Sequence, residues 1–234
     1  MNYKAIELSY WDIRGLNSTI LHFISYTKVP FNFTQYALPK DMGLWQAKKA
    51  SHMEGGYPLA NLPMITDPNN GGKHLVESSA ILQYLAQMYK PEAGPKMEEF
   101  ADFLCVLGCV KDLTMAFVLP LFSTPDLPAY IDKVTEAVTK HAGKLNFYEA
   151  TLKTNDWIFG NRVTFLDFII SDNTEKMLAM EKDFKKDLFT ASQRVALTKH
   201  MERVNNLSGV KEYRLSDKFV SRPFHPTFTV WSGN

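Results

Sequence analysis

Cysteine is scarce in this chain. Only Cys105 and Cys109 occur among 234 residues, four apart in an apolar helical stretch. That spacing is not a zinc pattern, and one turn apart on a helix the two thiols are badly placed to bridge. They read as small apolar core residues, and the default setting is reduced and cytoplasmic. The six histidines, at positions 22, 52, 74, 141, 200 and 225, include no His-Glu-x-x-His and no i, i+4 pair. No metal site is expected. No glycine-rich loop follows a strand, which excludes dinucleotide and P-loop binding, and Gly-x-Ser-x-Gly is absent. A net charge of +1 gives no reason to expect nucleic acid or an anionic membrane as partner. Residues 1–4 carry no apolar signal core. The nearest approach to a membrane span, residues 100–122, is interrupted by Asp102, Lys111 and Asp112. There is no internal repeat and no low-complexity segment.

What remains is globular. A hydrophobic share of 45% and a charged share of 22% allow a sizeable core, in one large domain or two small ones. Residues 3–10 alternate as a strand with Ile6, Leu8 and Tyr10 on one face, and residues 17–26 follow with helical spacing at Ile20, Leu21 and Ile24. Residues 31–36 read as a second strand. Residues 38–56 are irregular and rich in Gly, Lys and Met, and form either a functional loop or a short helix. A hairpin follows, residues 64–66 and 73–76 around the turn cluster Asp67-Pro68-Asn69-Asn70-Gly71-Gly72. Glu77-Ser78-Ser79 opens a helix with Ile81, Leu82, Leu85 and Met88 on one face. The pattern is βαβ then ββα, an α/β domain over residues 1–88. Beyond the Pro/Gly linker at 89–95 the strand signals stop, and residues 96–234 read as all-helical. Residues 97–119, 129–152 and 191–204 have helical periodicity. Thr164 and Asp167 form a capping box, with Val163 and Phe168 as its staple.

Three features of the first half carry chemistry. Tyr10 ends the first strand, where a side chain commonly faces a ligand crevice, although it could equally be an ordinary half-buried strand aromatic. Leu62-Pro63 precedes a strand. A cis proline there would bare the backbone N–H and C=O before it, and a trans proline would simply start an edge strand. Glu77-Ser78-Ser79 stands at a helix N-terminus, which suits a carboxylate unless Ser78 only caps its own helix. Together, a phenol, strand-like backbone and an anion cradle describe a site for a small peptide bearing a carboxylate.

The chain resembles the cytosolic glutathione S-transferases, most closely their mu class. Tyr10-Trp11-Asp12-Ile13-Arg14-Gly15-Leu16 matches the N-terminal signature. Asn61-Leu62-Pro63 and Glu77-Ser78-Ser79-Ala80-Ile81-Leu82 match the glutathione-binding segments. Gly160-Asn161-Arg162-Val163-Thr164-Phe165-Leu166-Asp167-Phe168 matches the capping motif of the helical domain, and the tail from Ser221-Arg222-Pro223 to Val230-Trp231 matches the C-terminus. The resemblance implies a thioredoxin-like N-terminal domain, an all-helical C-terminal domain whose tail covers the substrate pocket, a homodimer, and glutathione as co-substrate with no resident cofactor. It implies that Tyr10 donates its hydroxyl to the glutathione sulfur, that Trp11 flanks the glycyl end, and that Trp45 and Lys49 hold the glycine carboxylate. Leu62, before Pro63, would offer its backbone to the cysteinyl part, with Asn61 and Pro63 in the same glutathione-binding segment, and Glu77 and Ser78 would take the γ-glutamyl end. Ile13, Cys109 and His225 would line the pocket for the second substrate. Tyr57 or Leu59 would be the apolar key inserted into the partner subunit.

The departures bear on function. Glu77 stands where the family usually has Gln; a carboxylate accepts from the γ-glutamyl ammonium but cannot donate to its carboxylate. Met42 replaces an expected Arg. The segment before Trp45 is shorter than in the mu class, and that after Lys49 is longer. Val110 falls where a partner-subunit Asp would reach the neighbour's glutathione, with Asp112 the nearest acid. The Tyr that assists certain electrophiles falls near Pro120 and has no counterpart. The implied activity is conjugation of glutathione thiolate to hydrophobic electrophiles, as in detoxification. The alternatives are a hydrophobic-ligand-binding or structural protein on the same scaffold, or a glutathione-dependent isomerase.

Overall fold

The computed structural model describes residues 2–233, which fall into two compact units. The first comprises the chain up to Pro91 together with Ser208–Pro226; the second is Glu92–Leu207 with the segment from Thr227 on.

The first unit is built on a four-stranded sheet. Strand β1 (Ile6–Trp11) buries Ile6, Leu8 and Tyr10 by the expected alternation. Helix α1 (Asn17–Thr27) crosses to β2 (Phe31–Tyr36), which lies parallel to β1. Residues 38–56 resolve into a helix, α2 (Met42–Glu54), whose one buried residue is Trp45. Strands β3 (Met64–Asp67) and β4 (Lys73–Val76) form the hairpin, β3 pairs antiparallel with β1, and the sheet order is β2-β1-β3-β4. Helix α3 (Ser78–Tyr89) buries Ile81, Leu82 and Leu85, while Met88, expected on that face, is 43% exposed.

The second unit is helical. Its elements are α4 (Phe100–Val118), a short α5 (Pro120–Ser123), α6 (Leu127–Lys140), α7 (Ala142–Thr154), α8 (Phe165–Phe184) and α9 (Ala191–Asn205). The periodic stretch 129–152 is two helices, broken at His141, rather than one. Helix α8 is buried along most of its length and packs on α4 and α9. The apolar stretch Pro91–Ser123 is long and apolar enough to span a membrane by length and composition; here it carries α4, which packs on α6 and α8. Among the described residues this unit has only two isolated β-bridges, around Gly160, and no strand.

The expected boundary is displaced in one respect. Residues 208–226, read from sequence as part of the helical half, belong to the first unit. The short helix α10 (Val210–Arg214) starts at Gly209, φ +88°, so close to the end of α1 that a Cβ would strike the Ser25 carbonyl. Only glycine allows that approach.

Candidate active site

Strand register brings the three chemical features to one end of the first unit's sheet. Met64 pairs with Ser9 on one side and Val76 on the other. The next residues outward along the three strands are therefore Tyr10, Pro63 and Glu77.

Tyr10 is 6% exposed. Its hydroxyl oxygen accepts the Leu16 N–H at 3.1 Å. Accepting uses a lone pair and leaves the O–H as a donor; an amide donor on the same oxygen also polarises it. Gly15, φ +45°, passes so close to the phenol that a Cβ would collide with its oxygen. The βα corner is thus shaped around this ring, which goes beyond what an ordinary strand aromatic requires.

The Leu62-Pro63 bond is cis. Neither the N–H nor the C=O of Leu62 is hydrogen-bonded to a described residue. Asn61 is exposed, Leu62 half-buried and Pro63 buried.

Glu77 is exposed and has φ +67° and ψ +112°. The two other non-glycine residues with positive φ, Lys28 and Lys185, sit in the left-handed helix-cap conformation; Glu77 does not. Such a conformation costs on the order of 1–3 kcal/mol and concentrates at ligand sites. Glu77 is the N-cap of α3, and no side chain caps this helix, so Ser78 does not serve its own N-terminus. The N–H groups of Ser78, Ser79 and Ala80 have no acceptor among the described residues. Open donors with a helix dipole behind them suit a carboxylate.

Trp11 and Trp45 meet edge-to-face at 6.5 Å, and Tyr36 closes an aromatic cluster at 6.2 Å from Trp11 and 5.6 Å from Trp45. Sequence reading missed Tyr36; its signal is the strand register, which sets Tyr36 beside Trp11. Lys49, half-buried, lies one turn beyond Trp45 on α2. Further along α2, His52 meets His74 of β4 edge-on at 5.0 Å. Burial, then His74 and Lys48, hold the His52 pKa below its usual value. Tyr57 packs on His74 and bonds to the Val76 backbone, with burial raising its pKa, whereas Leu59 is 68% exposed. Leu59 is thus the exposed one of the two key residues named from sequence.

The residues assigned to the second-substrate pocket are divided between the two units. Ile13 and His225, in the first unit, are 6% and 3% exposed. Cys109, in the second unit, borders a cavity of about 280 Å³ between α4 and α7 with Cys105, Phe147 and Tyr148. Val110 is fully buried, and Asp112, exposed, is paired with Lys144 at 2.7 Å, which holds its carboxyl below the usual range.

Sequence and structure comparisons point the same way. Residues 6–87 match the family described as "Glutathione S-transferase, N-terminal domain", and residues 110–208 match "Glutathione S-transferase, C-terminal domain". The chain is 27% identical over 235 residues to "Glutathione S-transferase Mu 2" of Mus musculus, covering 97% of this chain and 98% of that one. It is 28% identical over 237 residues to "Glutathione S-transferase 2" of Gallus gallus, with the same coverage. Among solved structures, the Pi-class glutathione S-transferase of Onchocerca volvulus superposes with a TM-score of 0.74 at 19% identity, over 97% of this chain and 100% of that one. The glutathione S-transferase Blo t 8 gives 0.77 at 20%, over 97% and 99%.

Proposed function

The chain belongs to the glutathione S-transferase family, and from that premise we propose that it conjugates the thiolate of glutathione to hydrophobic electrophiles, with a mu-like site. The observation that carries the reading is the Tyr10 corner, where a buried phenol oxygen accepts the Leu16 amide at 3.1 Å beside Gly15. A thiol of pKa about 8.5 is only a few per cent ionised at neutral pH. Lowering that value by about two units needs roughly 2.7 kcal/mol of preference for the thiolate. One charge-assisted hydrogen bond, helped by nearby helix N–H groups, is of that size.

The rest of the site holds the peptide. The Leu62 N–H and C=O bind the cysteinyl backbone as a short strand would. The open N-terminus of α3 receives the γ-glutamyl carboxylate, and Glu77 its ammonium. Trp45 and Lys49 of α2 hold the glycine carboxylate, with Trp11 alongside. In the first unit, Ile13 and His225 are the candidates for the electrophile side of the site. Assembly is a homodimer with Leu59 as the inserted residue; Leu104, Phe122 and Phe147, each 46–60% exposed in the second unit, supply apolar surface for a partner. The setting is cytoplasmic, and glutathione is consumed as co-substrate.

The test is turnover of 1-chloro-2,4-dinitrobenzene with glutathione, read beside the ultraviolet thiolate absorbance of the glutathione complex. Turnover with a thiolate band at neutral pH supports the reading. Binding of glutathione with neither would mark a binding protein on this scaffold.

A further inference from the structure

The β1–α1 corner that aims Tyr10 is held from outside by a segment more than two hundred residues away in sequence. The Arg14 N–H donates to the Pro223 carbonyl and the Gly15 N–H to the Phe224 carbonyl, each at 2.9 Å. The Phe224 ring is 1% exposed and carries two guanidiniums near its centroid, Arg14 at 4.8 Å and Arg222 at 4.2 Å. Arg14 also donates from Nε and Nη2 to Ser18 Oγ at 3.2 and 3.0 Å, which ties the corner to the first turn of α1. Phe219 stands 5.8 Å from Arg14 and 4.6 Å from Arg214. All these residues lie in the first unit.

The corner has no slack. Gly15 touches the Tyr10 phenol, and the next amide, Leu16, is the donor to the Tyr10 oxygen. Displacing residues 14–16 displaces both at once. Arginine on an aromatic face resists sliding better than an aliphatic contact of equal area, because the planar cation is attracted to the ring as well as packed on it. Hydrogen bonds weaken steeply with misalignment, so a few tenths of an ångström at this corner reach the chemistry.

We infer that residues 219–224 form a strap that sets the Tyr10 hydroxyl, with Phe224 as its positioning residue. The inference rests on the proposed thiolate chemistry of Tyr10. Phe224 itself touches no reacting atom; it acts through Arg14, Gly15 and Leu16.

The experiment uses the full chain with three substitutions. Phe224→Leu keeps an apolar side chain and removes the ring face. Arg222→Gln removes one stacked cation from an exposed position. Phe168→Leu, in the second unit, removes an equally buried ring remote in sequence from the strap. For each, the thiolate absorbance of bound glutathione is titrated with pH, and kcat is separated from KM for glutathione. In Phe224→Leu the thiol titration shifts upward by about half a unit to one unit, and kcat near neutral pH falls about three- to tenfold and partly recovers as pH is raised. KM for glutathione stays within about twofold, because the ends of the peptide are held elsewhere. Arg222→Gln shifts the titration in the same direction by less. Phe168→Leu loses thermal stability and leaves the titration in place.

If Phe224→Leu and Arg222→Gln both titrate as wild type, the strap is packing alone and the inference is overturned. The same holds if Phe168→Leu moves the titration equally. Should Phe224→Leu not fold, Arg222→Gln decides by itself. A wild type that forms no thiolate with glutathione would overturn the function proposed above; a wild-type thiolate that neither strap substitution disturbs would overturn only the strap.

Discussion

Helices α3 and α8 begin in opposite ways. At α8 the Asp167 carboxylate, fully buried, receives the Thr164 N–H at 2.7 Å and hydroxyl at 3.0 Å, the Ile158 N–H at 3.0 Å and His200 Nε2 at 2.9 Å. Helix α9 closes in the same spirit, with Thr190 and Gln193 bonded each to the other's backbone N–H. At α3 the capping residue is strained, its side chain caps nothing, and three N–H groups are open among the described residues. Buried or strained polar groups that a fold does not satisfy internally mark where something else completes them. The starts of α8 and α9 are closed by the chain itself, and the start of α3 is left open among the described residues.

The largest expected effect tests the closed end. Asp167→Ala strands four buried donors at once, so the loss should be about 3–5 kcal/mol in unfolding free energy. Urea or thermal unfolding checks it. A loss under about 1 kcal/mol would put the start of α8 on the same footing as that of α3 and end the contrast.

The next effect tests the open end. Tyr10→Phe keeps the ring and its packing and removes the hydroxyl. Turnover near neutral pH should fall roughly ten- to a hundredfold, equivalent to about 1.4–2.7 kcal/mol of barrier, with partial recovery at higher pH and little change in glutathione affinity. Coincident thiolate titrations and equal rates for wild type and variant would return Tyr10 to the status of a strand aromatic.

Legibility in the sequence follows the range of the interactions. The Thr164–Asp167 box, the alternation of Ile6, Leu8 and Tyr10, and the Asp67–Gly72 turn are local, and each stands where spacing put it. Periodicity does not decide helix α2, because Trp45 is its one buried residue and it has no apolar face to announce it. Residues 208–226 read from sequence as part of the helical half, because their place depends on Gly209 meeting Ser25 and on Phe224 meeting Arg14, contacts that no periodicity records. At the Tyr10 end of the sheet, the residue types and order of Tyr10, Leu62 and Ser78 are readable. The strain at Glu77 is not, since any residue can be written there and only the backbone shows the φ of +67°.

A third prediction compares the two ends of one strand. At its start β3 leaves the Leu62 backbone open; at its end Asp67, fully buried, accepts from Tyr84 at 2.6 Å, Tyr89 at 2.5 Å and the Asn69 backbone at 2.8 Å. Burial alone would raise the Asp67 pKa, but bonds from Tyr84, Tyr89 and Asn69 outweigh it and hold the carboxyl below its usual value. Burial and the Asp67 bond push Tyr84 up to about 12. A carboxyl whose folded pKa is depressed contributes stability above its unfolded value, and loses it as pH falls through the folded one. Tyr84→Phe should therefore cost about 1.5 kcal/mol at neutral pH, with the gap to wild type narrowing below about pH 4 as the carboxyl protonates. Parallel stability curves down to acid would mean that the Tyr84 bond does not depend on the charge.

The smallest effect separates strain from recognition at Glu77. Glycine tolerates positive φ far better than a residue with a Cβ, so Glu77→Gly should relieve part of the roughly 1–3 kcal/mol of backbone strain and give back about 0.5–1 kcal/mol in unfolded-chain entropy. The ligand-free protein should gain stability of about 1 kcal/mol, read as a raised thermal midpoint. Glu77→Gln keeps the backbone strain and changes only the side chain. A neutral amide cannot pair with the γ-glutamyl ammonium as an ion but can donate to its carboxylate, so affinity for glutathione at neutral pH should change by about threefold or more. Calorimetric titration with glutathione measures it. If Glu77→Gln binds glutathione as wild type does, the side chain does not face the ligand. If Glu77→Gly gains no stability, the residue's conformation is not the stored cost that sets this helix start apart from the one at Thr164.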